Sequence, residues 1–216
     1  MCPHARAAST TAVLYPGEVL SLYIDEHLLV LDKPAGLLAV PGRSEPDCLA
    51  SRALALWPDA RVVHRLDQAT SGLIAFARSA DAQRVLSAAF AERRVDKRYV
   101  AVVEGELADE QGQIDLPLAA DWPNRPRQIV DVARGKPSLT HWQVLAREAG
   151  RTRLALTPVT GRTHQLRVHL QAIGHPIVGD GLYGQAGTRL LLHAAHLTLP
   201  HPYDGRSVAC QSHAPF

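Results

Sequence analysis

The sequence predicts an α+β domain built around a mixed, mainly antiparallel sheet. Nine short apolar segments recur along the chain, most of them of strand length and separated by turn residues. Only three segments have a helical pattern, so crossover helices are few and hairpin-like strand pairs are favoured. Of the 216 residues, 46% are hydrophobic and 20% are charged, which is ordinary for a globular protein with a sizeable core.

The predicted strands begin after a polar segment, residues 1–18, which we expect to be a flexible N-terminus.

Alternation over 61–66 places Val63 and Arg65 on one strand face and His64 and Leu66 on the other. The nine apolar segments are 19–24, 28–32, 61–66, 72–77, 97–104, 128–133, 138–146, 151–157 and 190–199.

Three helices are predicted between these strands. The first covers 48–56 with Asp47 as its N-cap, and the second covers 80–94 with Ser79 as its N-cap. The third runs from 163 to 174 and ends at a glycine, a common C-terminal cap. In the third helix the residues expected to face inward are Leu166, Leu170 and Ile173. The second helix has one apolar face, made of Val85, Leu86, Ala89 and Phe90.

The cysteine and hydrophobicity patterns indicate the cellular compartment of the protein. Cys2, Cys48 and Cys210 are odd in number and far apart, which favours free thiols in a reducing environment. The N-terminus lacks the apolar run of a signal peptide, and no stretch of 18 apolar residues is present to span a membrane. We therefore expect a cytoplasmic protein with no membrane partner.

Positive charge is concentrated in one part of the chain. Residues 1–120 contain 12 Lys and Arg against 16 Asp and Glu, whereas residues 121–170 contain 9 against 3. Most of these cations are Arg, whose planar guanidinium binds phosphate and stacks on bases. A solvated basic face is the alternative, so charge alone supports nucleic-acid binding only weakly.

Motifs for nucleotide cofactors and metals are absent from the sequence. There is no glycine-rich phosphate loop and no dinucleotide fingerprint. His193 and His196 lie in a predicted strand, where a spacing of three points them to opposite faces. His164 and His169 are five apart on a predicted helix and do not share a face. The sequence therefore predicts neither a metal nor a cofactor.

Asp67 is a single carboxylate in a Thr-Ser-Gly turn between two apolar runs, at the end of the sequence His64-Arg65-Leu66-Asp67. An Asp in such a turn often only hydrogen-bonds the turn itself. The wider sequence favours a catalytic role instead. Residues 64–67 and 70–72 resemble the signature of the RluA-type pseudouridine synthases, and further matches follow in the same order at 31–37, 97–101, 161–167, 174–180 and 192–194.

The resemblance spans about residues 20–200 and implies the pseudouridine synthase fold and an isomerase that acts on RNA. Related enzymes often carry an N-terminal S4-type RNA-binding domain. Fewer than 25 residues precede the first predicted core strand here, so we expect residues 19–216 to form a single, stand-alone catalytic domain. This favours small stem-loops, a tRNA anticodon arm and a matching 23S rRNA hairpin, as partners of a monomeric enzyme.

The resemblance also assigns catalytic roles. Asp67 is the implied catalytic carboxylate, Arg162 pairs with it, and Tyr99 stacks on the flipped uracil. From the residues alone, a phosphate contact is an equal alternative for Arg162, and core packing is the alternative for Tyr99. Each route needs Asp67 ionised while partly buried, which requires a nearby cation or several hydrogen-bond donors.

Further residues are expected to bind the substrate. Arg65 resembles the Arg that fills the gap left by the extruded nucleotide, and Leu192 lies where the family has an apolar wall behind the base. A surface Arg and a core Leu are the respective alternatives. His164 and Arg167 share the motif that contains Arg162. The stiff loop around Trp122, Arg125 and Arg127 offers one aromatic and two cations to RNA, unless Trp122 instead pins the loop to the core.

The chemistry leaves three routes open for Asp67. It can capture the developing oxocarbenium at ribose C1′, add to C6 of uracil, or remove the C2′ proton. Two rival functions also remain: an RNA-binding module without catalysis, and a hydrolase that uses Asp67 as nucleophile. A different single tRNA or rRNA target is a further alternative. Against the rivals, Asp67, Tyr99 and Arg162 are all present, and no second carboxylate stands in a comparable loop.

Overall fold

The computed structural model describes residues 12–216, so residues 1–11 of the predicted flexible segment lie outside the described residues. The strands are β1 (Val13–Tyr15), β2 (Val19–Ile24), β3 (Leu28–Lys33), β4 (Arg61–Val62), β5 (Ser71–Ala77), β6 (Asp96–Glu104), β7 (Gln111–Asp115), β8 (Leu118–Ala120), β9 (Gln128–Val130), β10 (Leu139–Glu148), β11 (Arg151–Pro158), β12 (Leu192–Pro200) and β13 (Ser207–Gln211). The helices are α1 (Leu49–Leu56), α2 (Ala80–Ala91) and α3 (Gln165–Ala172).

The predicted α+β class and the mainly antiparallel sheet are confirmed. The chain divides into two compact units. The first contains residues up to Asp96 together with Ala194–His213, and the second contains Lys97–His193 with Ala214–Phe216. Among residues 12–216, no helix is both long and apolar enough to cross a membrane.

The first unit is organised around β5, a strand whose seven residues are all buried. Strand β5 pairs antiparallel with β3, which pairs with β2, and β2 pairs with β1. The continuous apolar runs of β3 and β5 are typical of strands that are covered on both faces. Leu86 of α2 belongs to the same buried hydrophobic cluster as Leu73 of β5 and Leu197 of β12.

Two helix caps in the first unit differ in how well the sequence predicted them. Ser79 caps α2 as predicted, because its Oγ accepts a hydrogen bond from the Ala82 N–H at 3.0 Å. The prediction for α1 is wrong by one residue, since Cys48 is the N-cap and its Sγ accepts from the Ser51 N–H. Asp47 instead forms an exposed ion pair with Arg52 at 2.7 Å.

The second unit contains an antiparallel sheet in the order β6-β11-β10-β7 and a separate two-stranded hairpin, β8-β9. Strand β9 ends at Val130, earlier than predicted, because Asp131 accepts hydrogen bonds from the N–H groups of Ala133 and Arg134 and turns the chain. The hairpin is anchored by Leu118, which packs with Val168 of α3 and with Tyr183.

Helix α3 is shorter than predicted, with eight residues from Gln165 to Ala172. Leu166 and Leu170 are buried as predicted, but Ile173 lies beyond the helix and is 37% exposed, so its predicted inward position is wrong. Gly174 has a φ of 85°, the left-handed conformation expected of a residue just past a helix end.

Candidate active site

The Asp67 turn lies in the first unit and is held by its backbone. The N–H of Thr70 donates to the Asp67 carbonyl at 3.1 Å, and the N–H of Gly36 donates to the Gln68 carbonyl at 2.9 Å. The Gln68 side-chain Nε2 donates a hydrogen bond to the Gly36 carbonyl at 3.0 Å. Asp67 is half-buried and Arg65 is exposed. The turn therefore presents one carboxylate on a fixed backbone, with an accessible Arg two residues before it.

The strand predicted over 61–66 ends at Val62, which is a correction to the predicted alternation of side chains. The reason is His64, whose Nε2 accepts the N–H of Ala75 in β5 at 2.9 Å, where a further residue of β4 would otherwise pair. The His64 ring also stacks on Phe90 of α2 at 4.4 Å between ring centroids. The side chain thus replaces backbone pairing and frees residues 63–70 to form the Asp67 turn.

We expect His64→Phe to lower the free energy of unfolding by about 1–3 kcal/mol, because it keeps a ring against Phe90 but leaves the buried Ala75 N–H without its acceptor. His64→Gln is the matched variant, since it loses the ring and retains a side-chain acceptor. Urea denaturation of both variants measures the difference. If His64→Phe is as stable as the wild type, the hydrogen bond from the Ala75 N–H to His64 does not contribute to the free energy of unfolding.

Lys33 lies in the 31–37 segment that matches the family, but the sequence interpretation gave it no role of its own. It is 0% exposed, and its Nζ donates to the carbonyl oxygens of Pro34, Leu37 and Gln68 at 2.9, 2.7 and 3.0 Å. Gln68 directly follows Asp67. The available signal was a charged residue at the end of an apolar strand, next to a Pro and a Gly.

Tyr99 is in the second unit on β6, where it is half-buried and opposes Leu156 of β11. Along this strand Lys97, Tyr99 and Ala101 are less exposed than their neighbours Asp96 and Arg98. A Cβ at Gly161 would stand 3.7 Å from the Lys97 Nζ, so this face of β6 lies beside the Gly161–Arg162 turn. Burial lowers the pKa of Lys97.

Arg162 is exposed and precedes α3 by three residues rather than by one. Its Nε donates to the Pro137 carbonyl at 3.3 Å. The turn is fixed by Gln165, which is buried and uses its full side-chain hydrogen-bonding capacity. Its Oε1 accepts from Thr160 Oγ1 at 2.7 Å and from the Arg162 N–H at 3.0 Å, and its Nε2 donates to Leu139 O and Thr140 Oγ1, both at 3.0 Å.

His164 and Arg167 converge on Tyr183, a residue that the sequence interpretation did not single out. His164 has a φ of 55° at the N-cap of α3, and its Nδ1 shares a hydrogen bond with the Tyr183 hydroxyl at 2.7 Å. The same hydroxyl accepts the N–H of Gln128 at 2.7 Å. Tyr183 therefore ties the start of α3 to the β8-β9 hairpin.

Arg167 is buried and forms a bidentate ion pair with Asp180, with both N–O distances at 2.7 Å. The pKa of the Asp180 carboxyl is lowered, because its bonds with Arg167 and with backbone N–H groups outweigh burial, which acts in the opposite direction. Asp180 also accepts the N–H of Tyr183 at 3.2 Å. The Arg167 guanidinium thus binds Asp180, and Asp180 in turn binds the backbone of Tyr183. Arg167 would therefore affect RNA binding by fixing the position of Tyr183.

The loop between β8 and β9 is exposed and carries the predicted aromatic and cations. Trp122 is 65% exposed, which makes the alternative of a core anchor wrong. The Arg125 guanidinium lies 3.7 Å from the Trp122 ring centroid, a cation–π geometry. The Arg127 guanidinium lies 5.5 Å from the Tyr183 ring centroid. The loop closes through the Asp121 N–H, which donates to the Arg127 carbonyl at 3.0 Å.

Leu192 begins β12 and is buried. This burial is compatible with an apolar wall and with core packing. Burial lowers the pKa of His169, whose ring nitrogens hydrogen-bond Thr140 Oγ1 and the Leu116 carbonyl, both at 3.0 Å.

Within residues 12–216, no three His, Cys, Asp or Glu side chains form a group that could hold a metal ion.

Comparison with known proteins gives concordant matches. A family model described as RNA pseudouridylate synthase matches residues 27–172. The Yersinia pestis protein named dual-specificity RNA pseudouridine synthase RluA is 47% identical over 206 residues, which cover 92% of this chain and 100% of the relative. The protein of the same name from Escherichia coli K12 is 47% identical over 203 residues, 90% of this chain and 93% of the relative.

Solved structures agree with these sequence matches. Human RNA pseudouridylate synthase domain containing 1 is 30% identical with a TM-score of 0.80, and the match covers 92% of this chain and 84% of that one. Human RNA pseudouridylate synthase domain containing 4 has a TM-score of 0.74 at 24% identity, covering 90% and 88%, and supports the fold alone.

Proposed function

The chain belongs to the family of RNA pseudouridylate synthases, enzymes that isomerise uridine in RNA, and on this premise we propose that its targets are a tRNA anticodon stem-loop and a 23S rRNA hairpin. The observation that carries the proposal is the 47% identity, over nearly the full length, to relatives named dual-specificity synthases. The exposed Trp122–Arg125 pair supports a single-stranded loop as the target, because such loops offer unstacked bases to aromatic and Arg side chains.

In the proposed mechanism, Asp67 is the catalytic carboxylate and acts at C1′, at C6 or on the C2′ proton. The bond from ribose C1′ to uracil N1 breaks, the base turns and C1′ is joined to C5. The proton on C5 is released and N1 takes up a proton, so there is no net hydrolysis. The base must leave its stack for C1′ to be reached. Arg65 is exposed two residues before Asp67, which suits a side chain that fills the gap in the RNA. The backbone bonds of the Asp67 turn support a carboxylate held in one position.

The second unit contributes the remaining proposed contacts. Tyr99 stacks on the flipped uracil and Leu192 forms an apolar wall behind it. Arg162 is proposed to stabilise the ionised Asp67, as the resemblance of residues 161–167 to the family motif implies. The loop bearing Trp122, Arg125 and Arg127 binds the RNA, while His164 and Arg167 position Tyr183 behind that loop. We further propose that residues 19–216 act as one catalytic domain in a cytoplasmic monomer.

The target proposal is tested with two transcripts, a tRNA anticodon stem-loop and a 23S rRNA hairpin, each incubated with purified enzyme. Pseudouridine is then mapped by carbodiimide labelling and primer extension. We expect one modified position in each RNA and none in matched transcripts in which that uridine is cytidine. Modification of only one of the two RNAs would replace the dual specificity with a single target.

We expect Trp122→Ala to raise KM for the stem-loop by roughly tenfold while leaving kcat at saturating RNA unchanged. Loss of a stacked base costs about 1–3 kcal/mol, and the loop lies outside the proposed chemistry. Trp122→Phe is the matched control, because it keeps a stacking surface and should retain most of the affinity. An unchanged KM in Trp122→Ala would remove this aromatic residue from the RNA interface.

A further inference from the structure

The Tyr183 hydroxyl joins two segments of the second unit. It accepts the N–H of Gln128, the first residue of β9, at 2.7 Å, and it hydrogen-bonds His164 Nδ1 at the same distance. Tyr183 is only 6% exposed and belongs to the same buried cluster as Leu118 and Val168. A buried hydroxyl in this position can therefore act on the RNA only through the two segments that it holds.

His164 has a backbone conformation that histidine seldom adopts. Its φ of 55° lies in the left-handed region, and it is the third residue of a turn that the Gln165 N–H closes on the Arg162 carbonyl at 3.1 Å. A positive φ at this turn position is typical of Gly or Asn. The His164 side chain does not cap α3 and instead bonds Tyr183. This bond compensates for the strained backbone.

The conformation of His164 sets the direction of the chain at Arg162. Helix α3, which follows, is anchored by buried Leu166 and Leu170 and by the side-chain hydrogen bonds of Gln165. Because the helix is anchored, a change in φ at His164 moves the residues before it. A displacement of about 1 Å at a reacting group can cost roughly a hundredfold in rate. A hydrogen bond two residues after Arg162 can therefore control turnover.

We propose that Tyr183 is a positioning residue for the isomerisation: its hydroxyl holds His164 in the left-handed conformation that directs Arg162, and through Gln128 it holds the loop that binds RNA. This inference rests on the proposed function, because Arg162 acts in the proposed chemistry. Loss of the hydroxyl should lower kcat through His164 and raise KM through Gln128. A residue that only stabilised the fold would change the free energy of unfolding and leave the kcat of the folded enzyme unchanged.

Tyr183→Phe removes the hydroxyl and keeps the ring in its cluster. We expect kcat at saturating stem-loop to fall by about tenfold to a hundredfold. KM should rise by a few fold, because the Gln128 N–H loses its acceptor. Tyr203→Phe is the matched control, since it removes one hydroxyl from a residue that is 77% exposed in the first unit and should match the wild type. A wild-type kcat in folded Tyr183→Phe would overturn the proposal.

Two variants of His164 test whether backbone conformation is what the bond controls. Asn adopts a positive φ readily, whereas Ala seldom does. We therefore expect His164→Asn to retain about tenfold more kcat than His164→Ala. When His164 is already Asn, adding Tyr183→Phe should not lower kcat further, because the two changes act on one contact. Equal kcat in His164→Asn and His164→Ala would overturn the proposal, and this comparison decides if Tyr183→Phe does not fold.

NMR without RNA separates this inference from the proposed function. The backbone amide signals of Gln128 and Arg162 are compared between the wild type and Tyr183→Phe, which keeps the aromatic ring and its effect on neighbouring signals. We expect both signals to shift. An Arg162 signal that does not shift would overturn the link from Tyr183 to the Arg162 turn, whether or not any RNA is modified. Shifts of both signals in a protein that isomerises neither RNA would support the link and refute the proposed function.

Discussion

Asp67→Asn should abolish isomerisation while leaving RNA affinity within a few fold of the wild type. Asn keeps the volume of Asp but cannot act as an anionic nucleophile or base. The backbone bonds that shape the turn, from Thr70 N–H to Asp67 O and from Gly36 N–H to Gln68 O, do not involve the substituted atoms and should persist. The loss should therefore appear in turnover and not in binding.

The measurement is multiple turnover by purified Asp67→Asn on a stem-loop, with affinity measured in parallel by filter binding. Asp32→Asn is a useful control, because Asp32 also lies near the Lys33 ammonium but is placed on β3 and not in the turn. We expect Asp32→Asn to retain turnover. Detectable multiple turnover by Asp67→Asn would remove Asp67 from the central role.

Arg162→Ala is expected to lower turnover strongly and to move the acidic limb of the pH–rate profile to higher pH. A cation beside a partly buried carboxylate stabilises the ionised form, so removing it makes protonation easier. The alternative role, a phosphate contact, predicts weaker binding, a salt dependence shallower by about one unit and an unchanged acidic limb.

Both quantities for Arg162→Ala can be measured on one hairpin, with Arg162→Lys as the matched variant. Lys keeps the positive charge and should recover part of the acidic limb if the charge is what Asp67 requires. Arg134→Ala, at an exposed position beside Asp131, controls for the general loss of one Arg. Weaker binding, a shallower salt dependence and an unchanged acidic limb would reassign Arg162 to substrate positioning.

The fold was predictable where hydrophobic periodicity decides the structure. The buried runs of β3 and β5 and the Ser79 cap of α2 follow from side chains that act within one element. Strand β7 was missed because its sequence is polar and only Ile114 is buried. Its place is set by pairing with β10, which lies far along the chain and leaves no local signal.

The site was less predictable because its geometry depends on contacts between distant segments. The early end of β4 follows from His64 accepting the Ala75 N–H, a bond that strand propensity cannot anticipate. Lys33 and Gln165 are ordinary residues in their local sequence, and each also bonds groups distant in the chain, Gln68 O for Lys33 and Leu139 O for Gln165. The sequence motifs predict Asp67, Tyr99 and Arg162 as site residues by resemblance, but they do not predict which residues hydrogen-bond the surrounding turns.

The central claim is that this chain isomerises uridine in RNA without cleaving the base from the chain. Its most direct test is incubation with a stem-loop transcript labelled with tritium at C5 of uridine. We predict that tritium is released in proportion to the pseudouridine formed while the RNA keeps its mass apart from the exchanged label and no free uracil appears. Free uracil in the supernatant would indicate a hydrolase, and full retention of tritium on RNA that the protein binds would indicate a binding module without catalysis.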